Sequence, residues 1–106
     1  MEKEIIWQDK KRILGMPITF TRYKLYRDRL VSSVGLFSHT ENEILLYRIT
    51  DMELRLSLLD RILGVGTITL YSVDTNSPRY PIEKVKNPRK VKSLLDGLIW
   101  AERERL

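Results

Sequence analysis

Residues 57–71 read Ser-Leu-Leu-Asp-Arg-Ile-Leu-Gly-Val-Gly-Thr-Ile-Thr-Leu-Tyr, and the change of period within this stretch decides the fold. Ser57 followed by Asp60 has the spacing of a capping box, in which hydroxyl and carboxylate each accept from the other residue's backbone N–H. Leu58, Leu59, Ile62 and Leu63 supply the apolar faces of a short helix, and Gly64 is the residue that takes positive φ without steric cost and stops it. Beyond it Val65, Thr67, Thr69 and Tyr71 alternate with Gly66, Ile68 and Leu70, which is the period of a strand. A capped helix turn running directly into a strand is therefore predicted at the centre of the chain.

On the N-terminal side, residues 48–56 carry Ile49 on one parity and Met52, Leu54 and Leu56 on the other, so a register shift is expected near Thr50. Residues 38–47 read as a strand that enters at His39-Thr40 and becomes apolar at Ile44-Leu45-Leu46. Leu30, Ser32, Val34 and Leu36 alternate with Val31, Ser33 and Phe37, and the lone Gly35 predicts a bend or bulge. Arg27-Asp28 predicts a tight turn. Residues 18–26, ITFTRYKLY, predict a strand bulged near Thr21 and Arg22, because Ile18 and Phe20 fall on one parity and Tyr23 and Leu25 on the other. Ile13, Leu14, Gly15, Met16 and Pro17 interrupt any regular pattern, a polar basic loop is expected over residues 8–12, and residues 4–7 predict a short apolar strand.

On the C-terminal side, residues 74–78 are a run of turn formers. Residues 80–85 predict the last strand, with Pro81 placing it at an edge or a bulge because proline has no N–H for a central ladder. Asn87-Pro88 predicts a helix start. Val91, Leu94, Leu95, Leu98 and Ile99 then form one apolar stripe of a helix over about 88–104, expected to lie on the sheet. Trp100 points away from that stripe, one turn from Gly97, which costs the helix roughly 1 kcal/mol relative to alanine. Two readings of Trp100 stand side by side: contact with another chain, or folding onto a neighbouring loop.

With 106 residues the chain is read as one domain over 1–106, and without cysteine it has neither disulfides nor thiolate chemistry, which suits a reducing, cytoplasmic setting. The first residues lack the apolar core of a signal peptide, and no apolar run approaches the roughly 18 residues of a membrane span. Nineteen lysines and arginines stand against 14 carboxylates, a net charge of +5. The balance is uneven along the chain. Residues 79–92 are strongly basic and residues 41–60 acidic, a pattern that serves solubility or draws phosphates, an anionic membrane or a complementary copy of the chain.

Short strands, a helix turn and a terminal amphipathic helix predict a mainly β domain with a C-terminal α-helix. The runs TRYKLYRDRLVSSVGL, EILLYRITDMEL, SLLDRILGVGTITL and IEKVKNPRKVKSLL resemble, in order and spacing, the bacterial pleckstrin-homology-like (bacterial PH) domains from about Trp7 to about Leu98. The resemblance implies a PH-like antiparallel seven-stranded, partly open barrel capped by a C-terminal helix. It implies no activity, because function does not travel with a fold. The phosphoinositide-binding residues of some PH-fold proteins are not transferred, since Lys10, Lys11 and Arg12, with Arg22 and Lys24, depart from that motif.

No catalytic constellation is read in the sequence. His39, the only histidine, lies in an expected hairpin end; Glu41 and Glu43 share one strand face; and Gly64-Val65-Gly66 follows a helix and precedes a strand, the reverse of a phosphate loop. The domain is therefore expected to be non-catalytic, with neither cofactor nor metal. The favoured expectation is protein or peptide binding, or self-association, through Trp100, Gly97, Tyr80 and Pro81. The alternative is an anionic lipid or phosphate-bearing surface engaged by Lys10, Lys11, Arg12, Lys84, Lys86, Arg89, Lys90 and Lys92. Nucleic-acid binding by Tyr23, Tyr26 and Tyr80 is the weakest reading, because strand tyrosines serve mostly as core or cross-strand pairs.

Overall fold

The computed structural model describes residues 4–14, 16, 19–73 and 79–106. In chain order the elements are β1 (Trp7–Lys10), β2 (Thr21–Leu25), β3 (Arg29–Val34), β4 (Thr40–Leu45), a 3-10 turn (Leu46–Arg48), β5 (Ile49–Arg55), α1 (Leu58–Leu63), β6 (Val65–Ser72), β7 (Arg79–Lys86) and α2 (Pro88–Arg105). They form two antiparallel sheets, one ordered β1-β2-β3-β4 and the other β5-β6-β7.

The capped unit forms as its residues dictate. Ser57 Oγ accepts from the Asp60 N–H and the Asp60 carboxylate accepts from the Ser57 N–H, both at 3.1 Å. Gly64 closes the helix at φ 72°, ψ 28°. Asp60 is the buried residue of α1, while Leu58, Leu59 and Ile62 are exposed. A six-residue helix is held here by polar ties to its buried carboxylate, to which the Lys84 ammonium adds a contact at 2.7 Å.

The parity shift at Thr50 appears as an irregularity between Ile49 and Asp51 in the β5–β6 pairing. A second one, between Gly66 and Ile68, lies where Lys84 of β7 adopts a φ of 51°. No bulge interrupts β2, which pairs in unbroken register from Thr21 to Leu25. The first strand is displaced from residues 4–7 to Trp7–Lys10, so most of the stretch expected as a basic loop is paired with β2. Its polar residues are held by tertiary bonds: Asp9 accepts from the Lys86 N–H at 2.9 Å and pairs with Arg12 at 3.1 Å. The expected turn over residues 74–78, together with Gly15, Pro17 and Ile18, lies outside the described residues.

The sheets approach each other along β1 and β7, where the Arg12 N–H donates to the Lys84 carbonyl at 2.9 Å. Between them Leu25, Leu30, Ile68, Leu70, Ile82 and Leu95 are fully buried. The predicted stripe of α2 covers this core, with Val91, Leu95 and Ile99 buried against the 3-10 turn, β5 and β6. Pro88 opens α2 as predicted. Asn87 caps by position alone, at φ 51° and without a side-chain bond, while its N–H donates to Gly64 O at 3.1 Å.

Candidate functional site

The connection from β3 to β4 turns on Gly35, at φ 119°. A Cβ at this position would lie 1.6 Å from the Ser38 carbonyl oxygen, so only glycine fits. The turn carries Leu36 and Phe37 outward, and Phe37 is 99% exposed. Phe20, whose carbonyl accepts from the Gly35 N–H at 3.2 Å, adds a third exposed apolar side chain, and Val34 a fourth. No ionisable side chain lies on residues 35–38; the next in sequence, His39 and Glu41, bond to each other at 3.1 Å. Phe37 had been legible only as one member of an alternating pattern. The available signal was Leu-Phe immediately after a lone glycine and before Ser-His, apolar bulk where a turn calls for polar residues.

Beside this tip, a cavity of about 340 Å³ opens between the sheets, with Thr21, Val34, Asn42, Arg79, Tyr80 and Pro81 among its walls. Tyr80 is 6% exposed, its hydroxyl bonded to Asn42 O at 2.7 Å and Ser32 Oγ at 2.9 Å, so it reaches solvent only as cavity wall. Pro81 is exposed and lies on an edge strand, as expected. That edge has little to offer an added strand. Pro81 has no N–H, the Glu83 N–H donates to Tyr23 Oη at 3.0 Å, and the Lys84 carbonyl is taken by Arg12. Trp100 stands on the outer face of α2 at 58% exposure, and the space beside Gly97 is open. Trp100 and Gly97 line none of the concavities that contain Tyr80 and Pro81.

The basic residues divide into two groups. Lys11 pairs with Glu83 at 2.6 Å, Arg12 with Asp9, and Lys84 with Asp60, so these three serve the fold. Lys10, Lys86, Arg89, Lys90 and Lys92 have no side-chain ion pair among the described residues. Arg89 and Lys90 share a concavity of about 440 Å³ with Arg61 of α1, and Lys86 and Lys90 border a neighbouring one of about 300 Å³.

The perturbed groups are structural ties. Burial pushes the Tyr23 phenol up to about 12, with the nearby Glu83 charge acting in the same direction and its N–H hydrogen bond opposing. Burial likewise raises Tyr80. At Asp60 burial acts to raise the carboxyl, but Lys84 and the Ser57 bonds outweigh it and hold it below its usual value. The described residues contain no group of three or more His, Cys, Asp or Glu side chains placed to hold a metal ion. No described helix is long and apolar enough to cross a membrane.

Two antiparallel sheets forming a partly open barrel, closed over by a C-terminal helix, define the pleckstrin-homology-like class. The chain belongs to the bacterial PH domain family, whose model matches residues 14–99 and so spans the Phe37 tip, α1 and most of α2. No curated protein matches the sequence.

Proposed function

We propose that this domain is a non-catalytic protein-binding module and that the β3–β4 tip, Leu36 and Phe37, anchors the partner. The observation that carries this reading is the complete exposure of Phe37 on a turn that only glycine can make. Burying such a side chain is worth roughly 1.5–3 kcal/mol. Rigidly presented aromatic anchors are also where binding energy concentrates. The absence of charge on residues 35–38 favours an apolar socket on a protein over an anionic surface. The adjacent cavity gives the partner a second foothold beside the anchor. With its edge groups already bonded, β7 makes side-chain docking the better-supported mode than strand addition. A cytoplasmic setting is consistent with the lack of cysteine.

Affinity purification with wild-type protein and with Phe37→Ser tests the proposal. The substitution is expected to weaken a defined protein partner by about 30-fold or more while leaving thermal unfolding unchanged. Equal recovery of the same partners by both proteins would contradict it. A second reading, self-association through the outer face of α2, is favoured by the exposure of Trp100 beside the open position of Gly97. Light scattering over a concentration series with Trp100→Ala decides it; a monomer throughout removes it.

A further inference from the structure

Two features of the junction between α1 and α2 are locally unfavourable, and they lie side by side. Leu58 and Ile62 are 76% and 74% exposed, with Leu59 beside them, so a six-residue helix turns three apolar side chains to solvent. The first turn of α2 carries Arg89 and Lys90 with no acidic residue, against the positive end of its helix dipole. The hydrogen bond from Asn87 N–H to Gly64 O ties the end of α1 to the start of α2. Arg61, Arg89 and Lys90 therefore rim one concavity beside the exposed leucines. The single carboxylate lining that concavity among the described residues, Asp60, is 3% exposed and paired with Lys84. The outer surface combines protruding apolar groups with cations that have no ion pair among the described residues.

We infer that this face docks on an anionic lipid bilayer, with Leu58, Leu59 and Ile62 entering the interface and Arg61, Arg89 and Lys90 meeting the lipid phosphates. The complementarity is specific in kind. Apolar side chains alone would suit any hydrophobic socket, and cations alone any polyanion. An anionic membrane interface presents hydrocarbon immediately beneath a layer of negative charge, and stable attachment takes both signals together. This face lies at the Lys86 end of β7, whereas the proposed protein-binding tip borders the cavity at its Arg79 end. The two concavities share no lining residue, so membrane and partner do not compete for one surface. The inference does not depend on the tip's partner.

Co-sedimentation of the full chain with vesicles of phosphatidylglycerol in phosphatidylcholine, compared with phosphatidylcholine alone, tests this. Wild-type protein is expected on the anionic vesicles, with binding that falls steeply as salt is added. Arg89→Gln with Lys90→Gln should weaken binding about 25-fold, near five-fold for each charge removed. Leu58→Gln with Ile62→Gln should weaken it by roughly tenfold or more while preserving the salt dependence. All four positions are exposed, so unchanged thermal unfolding is expected and verifies the fold. Absence of binding at low salt, equal binding to neutral vesicles, or insensitivity to either double variant would overturn the inference. So would polyglutamate binding that depends on Arg89 and Lys90 while vesicle binding ignores Leu58 and Ile62; that result would assign the face to an acidic protein.

Discussion

Replacing Asp60 with alanine removes the contact that fixes the central helix turn to the barrel. The capping-box bond from the Ser57 N–H to the Asp60 carboxylate, at 3.1 Å, disappears with it, whereas the bond from the residue-60 N–H to Ser57 Oγ remains, and a cap bond of this kind is worth about 1 kcal/mol. The 2.7 Å bond from the Lys84 ammonium disappears too. A hydrogen bond to a charged group contributes about 1.5–3 kcal/mol, but the Lys84 side chain is 40% exposed and can return to water, so about 1 kcal/mol is the appropriate share. The expected loss is therefore roughly 2 kcal/mol, and a domain of this size should melt about 8–16 °C lower. Circular dichroism through urea and thermal unfolding measures it, and a double-mutant cycle with Lys84→Met isolates the pair. The sign of the pH dependence follows from the depressed carboxyl. The stabilisation is fully present above the unfolded value of 3.8 and is lost as pH falls from there through the lower folded value, and Asp60→Asn should lack this acid-side contribution. If Asp60→Ala unfolds within about 0.5 kcal/mol of wild type, the range of an ordinary surface change, the view that α1 is held by its carboxylate is wrong.

Other substitutions probe the packing independently. A Cβ at Gly66 would meet Leu56 Cδ2 at 2.4 Å and Pro88 Cγ at 2.8 Å; the leucine can move but the proline ring is rigid, so Gly66→Ala should cost about 1–3 kcal/mol in urea unfolding. Gly97→Ala meets nothing within 4 Å and should stabilise α2 by about 1 kcal/mol, and a lower melting temperature would contradict the open site. The Tyr23 phenol, raised from 10.0 to about 12, contributes stability that is complete below pH 10 and declines as pH rises toward 12. The decline amounts to roughly 2–3 kcal/mol, and Tyr23→Phe should fall less steeply over that interval.

What the sequence revealed was what its local chemistry determines. The capping box at Ser57, the stop at Gly64, Pro88 at the start of α2 and the outward turn of Trp100 all depend on neighbours within one helical turn. The placement of Pro81 on an edge strand and the register shift near Thr50 followed from backbone donors and parity. The first strand escaped because Gln8, Asp9 and Lys10 are polar, and the bond that helps hold Asp9 comes from Lys86, 77 residues away. Periodicity showed that α1 has apolar residues but not that its acid would face inward, since the Lys84 partner lies 24 residues downstream. The basic set looked uniform for the same reason: the Glu83, Asp9 and Asp60 partners that remove Lys11, Arg12 and Lys84 from it become visible only once the sheets are assembled. Phe37 was hidden by fitting an alternation that ends, in three dimensions, at Val34.

The proposal that the apolar tip recognises a protein is tested most directly by placing a photo-activatable phenylalanine analogue at position 37 and irradiating the protein inside its own cells. A discrete adduct with one protein is expected from position 37, lost when unlabelled wild-type domain is present in excess, and absent when the same analogue replaces the exposed Glu104. The same adducts from both positions, or none from position 37, would contradict it.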